Sequence, residues 1–468
     1  MILLAILVLL SLTAYCYFLS FSMALPLLLL AFGIQLYFYK QASLSLFLQL
    51  GLLLTLLIGG GYFLYDSFQI SKFYIPVSSV AMLTVLLFKD LQIAFLISLI
   101  SSCSTSLVIG EDLNYMLIFF MGSLTGVYSI QEARTRSQLI NAGFYVGGIQ
   151  VLCSMLIYPH AEFLLSKDFL FHYLRPLFFN GFISAGVVIV FCKIFESWFR
   201  VLTNFSLLEL SDFNQPLLKR MVLEAPGTYH HSLVVSNLAE AAAEAIGADG
   251  LLARVGAYYH DIGKMVKAEY YTENQLMGAN VHDKIEPSIS RLVILNHVKE
   301  GIELAKKHKL NPRIIDFIPQ HHGTSLMHYF YQKALEEGEN VEKVDEANFR
   351  YPGPKPQTKE TAIVLLADSV EGAVRALDDP IPKRIEEVVR KVINNKFIDG
   401  QLDACNLTLK EIDLISTTFI RILSAMYHSR VKYPEKKSEN GHNAHKSAEK
   451  ASSPASQNPS PHSKDPSA

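Results

Sequence analysis

The sequence predicts an all-α protein in two parts: a polytopic α-helical membrane domain over residues 1–200, then an all-α domain exposed to water. Three observations lead there. Charge is partitioned: residues 1–200 carry only 17 of the chain's 84 Asp, Glu, Lys and Arg residues. The charge-poor part is a succession of apolar stretches, most near the ~20 residues that a membrane-crossing helix needs. The charge-rich part repeats apolar residues at a helical period and nowhere sustains the alternation of a half-buried strand. The mean hydropathy of +0.26 therefore belongs to one end of the 468-residue chain.

The apolar stretches fall near residues 2–20, 22–39, 43–65, 74–88, 91–110, 113–130, 138–158 and 177–198. The fourth is short, and no charge separates the first two, so the reading is seven or eight spans, with the eighth at the N-terminus left open. A signal peptide over 1–20 would need a basic start and a small-residue cleavage site, and neither is evident. Short loops rich in Lys and Arg stay in the cytoplasm. The loop 131–137 holds Arg134 and Arg136 and is placed inside. Lys40 and Lys89 then fall inside and Glu111 with Asp112 outside; Lys72, Lys167 and Arg175 run against the trend. This count puts everything after residue 200 in the cytoplasm. Lys193 and Glu196 lie near the end of the last stretch, where long side chains reach the interface. No series of ionisable groups within the spans marks an ion path, which disfavours transport.

Residues 201–220 read as an amphipathic connector whose Leu207, Leu208, Leu210, Leu217 and Leu218 pack on the next domain. From 221 to 433 the pattern is helical. Leu233, Val234, Leu238, Ala241, Ala242 and Ile246 recur at helical spacing, and Gly247 follows as a stop. A second run starts at Leu251 and carries Val255 and Tyr258 into His260-Asp261. The polar, then proline-rich stretch 337–358 reads as a long surface loop, a kind that is often functional. Residues 434–468 read as a disordered tail, with His442, His445 and His462 solvated. Cys16, Cys103, Cys153, Cys192 and Cys405 show no CxxC spacing, which argues against a disulfide framework or a thiolate metal site. A net charge of −2 offers no basic field for DNA or RNA.

The residues that carry chemistry are His231, His260-Asp261, Lys264, His297, His321-His322 and Asp368. All but the lysine are ligand types for hard or borderline metals. A largely apolar helix that suddenly offers His, Asp and Lys is costly to bury unless those groups are used. An imidazole binds one ion, while the adjacent carboxylate can bridge two through its two oxygens. A dinuclear site suits phosphodiester hydrolysis: metal lowers the pKa of a bound water and neutralises charge on the phosphate. Lys264 can meet a phosphate oxygen as a point charge. Each residue alone has a bland reading as a core or surface side chain; together they point to a metal site. His230 and His282 read as neighbours rather than ligands.

Five runs carry a resemblance. They are Glu224-Ala225-Pro226-Gly227-Thr228-Tyr229-His230-His231-Ser232, His260-Asp261-Ile262-Gly263-Lys264, Asn296-His297-Val298, His321-His322-Gly323-Thr324 and Leu366-Ala367-Asp368-Ser369. They resemble the HD domain of the bacterial seven-transmembrane HD phosphodiesterases, in the PgpH-like branch. The likeness extends through Asn348-Phe349-Arg350-Tyr351-Pro352-Gly353-Pro354-Lys355-Pro356 and Asp399-Gly400-Gln401-Leu402, and covers roughly residues 20–433. The resemblance implies that His231, His260, Asp261 and Asp368 hold one metal. Asp261 then bridges to a second, held by His297, His321 and His322, and Lys264 serves the phosphate or the nucleophilic water. It further implies two iron or manganese ions and hydrolysis of cyclic di-AMP to the linear dinucleotide. The setting it implies is the bacterial cytoplasmic membrane with the HD domain inside. A second copy of the chain stands open as a partner.

One departure is visible: residues 1–20 run almost directly into the next apolar stretch, without the large external domain the family carries there. An eight-span topology preserves the orientation. The residues alone stop at a dinuclear phosphohydrolase. Other nucleotide substrates remain alternatives, although the Gly-Tyr-Pro signature of the cyclic di-GMP branch is missing. A non-catalytic nucleotide receptor is the competing class, disfavoured because all seven ligands are kept.

Overall fold

Residues 44–109, 113–158, 166–275, 281–337 and 345–427 are described by the computed structural model. The expected spans 2–20 and 22–39, and the tail 434–468, lie outside them. The apolar part forms α1 (Leu44–Phe68), α2 (Val77–Phe88), α3 (Leu91–Ile109), α4 (Leu113–Ile130), α5 (Arg136–Ile157) and α6 (Arg175–Phe199). Among the described residues, Leu48–Phe68, Leu113–Ile130, Arg136–Ile157 and Leu170–Phe199 are helical stretches long and apolar enough to cross a bilayer; 72–88 and 91–107 are shorter. The stretch expected at 74–88 is thus a 12-residue helix preceded by a 3-10 turn, Lys72–Tyr74. Pro76, which has no N–H to give, stands at the break.

Irregular backbone among apolar helices must be satisfied from within the protein. Asn180 of α6, fully buried, does this: its Nδ2 donates to the carbonyls of Phe73 at 2.8 Å and Ile75 at 2.6 Å. Helices α5 and α6 touch through their backbones. A Cβ on Gly181 would lie 2.0 Å from the Gly143 carbonyl oxygen, so glycine is what permits this approach.

At the end of α6, Arg200 is left-handed (φ 55°) and stops the helix. Glu196 turns inward, accepting from the Thr203 N–H at 2.8 Å and the Ser206 hydroxyl at 2.6 Å. Lys193 pairs with Glu209 at 2.9 Å. The two charges therefore tie α7 (Asn204–Leu210) to the end of α6. The second domain meets the bundle at this same end. Lys89, closing α2, pairs with Asp249 at 2.6 Å, and Asn311 Nδ2 donates to the Val201 carbonyl at 3.1 Å. Arg136 lines a small cleft there with Lys193 and Thr203.

The second domain contains α8 (Pro216–Glu224), α9 (Pro226–Ala245), α10 (Gly250–Tyr259), α11 (Pro287–Lys307), α12 (His328–Glu337), α13 (Lys359–Arg375), α14 (Pro382–Ile398) and α15 (Leu409–Met426). Among the described residues there is no β-strand, only an isolated bridge between Leu326 and Arg350. One core joins Leu207, Leu217 and Leu218 of the connector to Val235 and Leu238 of α9, Val255 of α10, Leu365 and Leu366 of α13, and Phe419 of α15. Each such side chain gains about 1.5–3 kcal/mol by leaving water. The helix ends are written locally. Gly247, at φ +70°, lets the chain leave α9, and two residues on the Asp249 side chain accepts from Leu252 N–H at 3.0 Å to start α10.

Candidate metal centre

Five segments converge. Helix α9 supplies His231, the end of α10 supplies His260-Asp261, α11 supplies His297, the turn after Phe317–Gln320 supplies His321-His322, and α13 supplies Asp368. The ligand atoms of His231, His260, Asp261 and Asp368 all lie within 4.8 Å of one another, as do those of Asp261, His297, His321 and His322. Asp261 belongs to both groups, and its oxygens divide between them. Oδ2 faces His260 Nε2 at 3.1 Å and His231 Nε2 at 3.6 Å; Oδ1 faces His297 Nε2 and His321 Nε2, both at 3.5 Å. Asp368 Oδ1 lies 3.1 Å from His231 Nε2, and its Oδ2 lies 3.6 Å from His322 Nδ1.

Backbone geometry sets this convergence. A Cβ on Gly263 would fall 1.8 Å from the His297 carbonyl oxygen, so only glycine lets the His260-Asp261 turn lie against α11. Gly323 (φ +54°) turns the chain directly after His322. Gln401 clamps that turn, its Oε1 accepting from Thr324 N–H at 2.8 Å. Arg350 grips Asp399 at 2.9 and 3.1 Å and donates to the Thr324 carbonyl at 2.9 Å. The stretch expected as a surface loop thus returns to the centre in its second half, with the Tyr351 ring stacked on His322 (centroids 4.1 Å apart, 27°).

The donor set fits metal. Asp261 is fully buried; Lys264 pairs with its Oδ2, but Oδ1 faces only imidazole nitrogens at 3.5 Å and has no well-formed hydrogen bond, and the same holds for His260 Nε2. Unpaired buried groups of this kind are costly and need a partner. His260, His297 and His321 point Nδ1 at the carbonyls of Ala257, Ile294 and Ile318, at 2.6, 2.5 and 2.7 Å. That leaves Nε2 toward the centre, the orientation that metal-binding histidines take. Burial pushes His297 down to about 4 and His322 well below the ordinary histidine value, so both present neutral imidazoles. Burial works to raise the Asp261 carboxyl, but Lys264 and His260 outweigh it and hold it well below the usual range. For Asp368 too burial is outweighed, by hydrogen bonds from His231 and His260.

Lys264 Nζ lies 2.7 Å from Asp261 Oδ2 and 2.9 Å from Glu273 Oε1. Burial works to discharge it, but these carboxylates outweigh that and hold it charged. It lines a cavity of about 340 Å³ beside the centre, walled by Tyr270, Tyr271, Tyr329, Phe330 and Tyr351. His230 is exposed. His282 is in neither ligand group; its Nε2 lies 2.8 Å from the Tyr270 carbonyl, on the cavity wall.

Sequence reasoning missed Glu371 and Glu273, and gave Tyr351 no role beyond its place in the run that carries the resemblance. Glu371 Oε2 lies 2.5 Å from His231 Nδ1. Its signal was present, because a carboxylate three residues after Asp368 shares that residue's helix face. Tyr351 carried no local signal, since its place depends on Arg350 meeting Asp399.

Residues 1–203 match the family model of the seven-transmembrane receptor with intracellular HD hydrolase, and residues 228–373 match the HD domain. The chain is 41% identical to the cyclic-di-AMP phosphodiesterase PgpH of Bacillus subtilis and 40% identical to that of Listeria monocytogenes, each over 371 residues. Each alignment covers 78% of this chain and 51% of the relative. The chain thus spans about half the length of these curated relatives. A crystal structure of the L. monocytogenes PgpH HD domain in complex with cyclic-di-AMP is 49% identical, with a TM-score of 0.45, covering 46% of this chain and all of that one. With the membrane part first and the HD domain after it, the chain belongs to the family of seven-transmembrane receptors with an intracellular HD hydrolase.

Proposed function

We propose that this protein is a multi-pass phosphodiesterase of the bacterial cytoplasmic membrane that hydrolyses cyclic di-AMP to the linear dinucleotide pApA. The observation that carries the chemistry is Asp261, whose two buried oxygens each face a separate set of imidazoles. His231, His260, Asp261 and Asp368 would hold one divalent ion, and Asp261, His297, His321 and His322 a second, with iron or manganese the expected metals. Two such ions supply an activated water and neutralise charge on the phosphate. The ammonium of Lys264, held charged in the cavity wall, offers a fixed positive charge to a phosphate oxygen. The aromatic walls suit the face of a purine. They do not choose adenine over guanine; that choice follows the two curated relatives.

The orientation is read from charge. Lys89, Arg136 and Arg200 all lie at the end of the bundle where the HD domain attaches, and the basic end of a membrane protein is its cytoplasmic end. The test is to purify the full chain in detergent, load it with manganese or ferrous iron, and follow cyclic di-AMP and cyclic di-GMP in parallel by chromatography. Metal-dependent conversion of cyclic di-AMP, faster than that of cyclic di-GMP, is expected. Faster cyclic di-GMP turnover, or hydrolysis of neither with metal bound, would overturn the substrate.

A further inference from the structure

The two halves of the centre are chemically unequal. His260, His297 and His321 each rest Nδ1 on a main-chain carbonyl. His231 instead meets a carboxylate, Glu371 Oε2, at 2.5 Å. Glu371 is only 4% exposed, and Arg375 Nη1, 3.3 Å from its other oxygen, keeps it aimed. Helix α13 thus addresses both nitrogens of one imidazole, Asp368 at Nε2 and Glu371 at Nδ1, one helical turn apart. A carboxylate behind a histidine fixes the tautomer and raises its strength as a ligand.

Ligand counts point the same way. The His231 half has two imidazoles and two carboxylates, with Glu371 behind; the other half has three imidazoles and the shared Asp261. Carboxylate oxygens suit manganese, whereas imidazole-rich sites suit iron or zinc. We infer that Glu371 is a positioning residue that makes the His231 half the tighter of two unequal manganese sites, so that it fills first. This rests on the dinuclear reading above.

The test strips the whole 468-residue chain in detergent with chelator and titrates it with Mn²⁺, reading free ion by electron paramagnetic resonance. The wild type takes up two ions in two steps; His231→Ala removes the tighter step and His322→Ala the weaker. Glu371→Gln keeps the volume and an acceptor oxygen but removes the charge, so the fold is preserved. It weakens the tighter step by roughly 10- to 100-fold and leaves the weaker within twofold. Glu371→Ala does the same more severely, and circular dichroism of the metal-free protein checks its fold. Equal weakening of both steps, or an unchanged tighter step in Glu371→Gln, overturns the inference while leaving the dinuclear reading intact. A wild type that binds no manganese overturns the inference, and one that binds neither manganese nor ferrous iron overturns both.

Discussion

Replacing Gly263 with alanine puts a methyl group where the chain has no room. The new Cβ would lie 1.8 Å from the His297 carbonyl oxygen, 2.5 Å from Gly301 N and 2.8 Å from the His297 carbonyl carbon. All three are backbone atoms of α11, so no side chain can swing aside. Contacts below 3.0 Å are not tolerated, so α11 or the His260-Asp261 turn must retreat by about 1 Å, at the ~1–3 kcal/mol typical of overpacking. A domain of ordinary stability, ~5–15 kcal/mol, survives that. The centre does not: His297 Nε2 stands 3.5 Å from Asp261 Oδ1, and a 1 Å misplacement costs about 10²-fold in rate. Gly263→Ala is therefore expected to fold, to melt a few degrees lower, and to lose roughly 10²-fold in metal-dependent hydrolysis, with the weaker manganese step lost. Turnover within twofold of wild type would refute the claim that this glycine sets the register of the two ligand-bearing segments.

Other perturbations have graded outcomes. Tyr351→Ala removes the ring stacked on His322, a pair worth ~0.5–1.5 kcal/mol, and should lower kcat/KM roughly 3- to 10-fold in steady-state kinetics. Arg350→Lys cannot reproduce the fork on Asp399; thermal denaturation should show a loss of about 1 kcal/mol at most, with hydrolysis falling as Tyr351 loosens. Chelation should lower the melting temperature, because a ligand at a hundred times its Kd contributes about 2.7 kcal/mol per site; an unmoved transition would speak against bound metal. Glu411 is held down to about 2 by Lys359 and the Thr408 N–H. Its contribution is present above the unfolded carboxyl value of about 4.3 and is lost as pH falls through about 2. The stability gap between wild type and Glu411→Gln should thus be full at pH 6 and shrink below pH 4, as read by chemical denaturation across pH.

The seven residues proposed as ligands stood out in the sequence as metal-binding types occurring together, His260-Asp261 most of all because they end a largely apolar helix, where such groups are costly without a use. Adjacency to His260 showed only that the carboxylate can bridge two ions; the assignment of that role to Asp261 came from the family resemblance. The groups that hold these ligands were harder to see. Glu371 lies three residues after Asp368 on the same helix face, but its contact with His231 exists only once α13 packs against α9. The loop at 337–358 reads as polar and proline-rich, and nothing local says that Phe349 and Tyr351 turn inward; the ion pair between Arg350 and Asp399 decides that, across 49 positions. Among the described residues of the membrane part, hydropathy found the helices, but the break at Pro76 needed Asn180 to satisfy Phe73 and Ile75, a contact between segments more than 100 residues apart.

The most direct measurement compares wild type with Asp261→Asn in the whole 468-residue, manganese-loaded chain, reading manganese bound per chain and cyclic di-AMP converted on the same sample. The amide keeps the shape of the side chain but loses the charge that both halves share. Wild type should bind two ions and turn over. Asp261→Asn should lose at least one ion and fall in rate by the order of 10²–10³-fold that removal of a key electrostatic group costs, while remaining folded in the membrane fraction. Two ions bound and unchanged hydrolysis in Asp261→Asn would contradict the account.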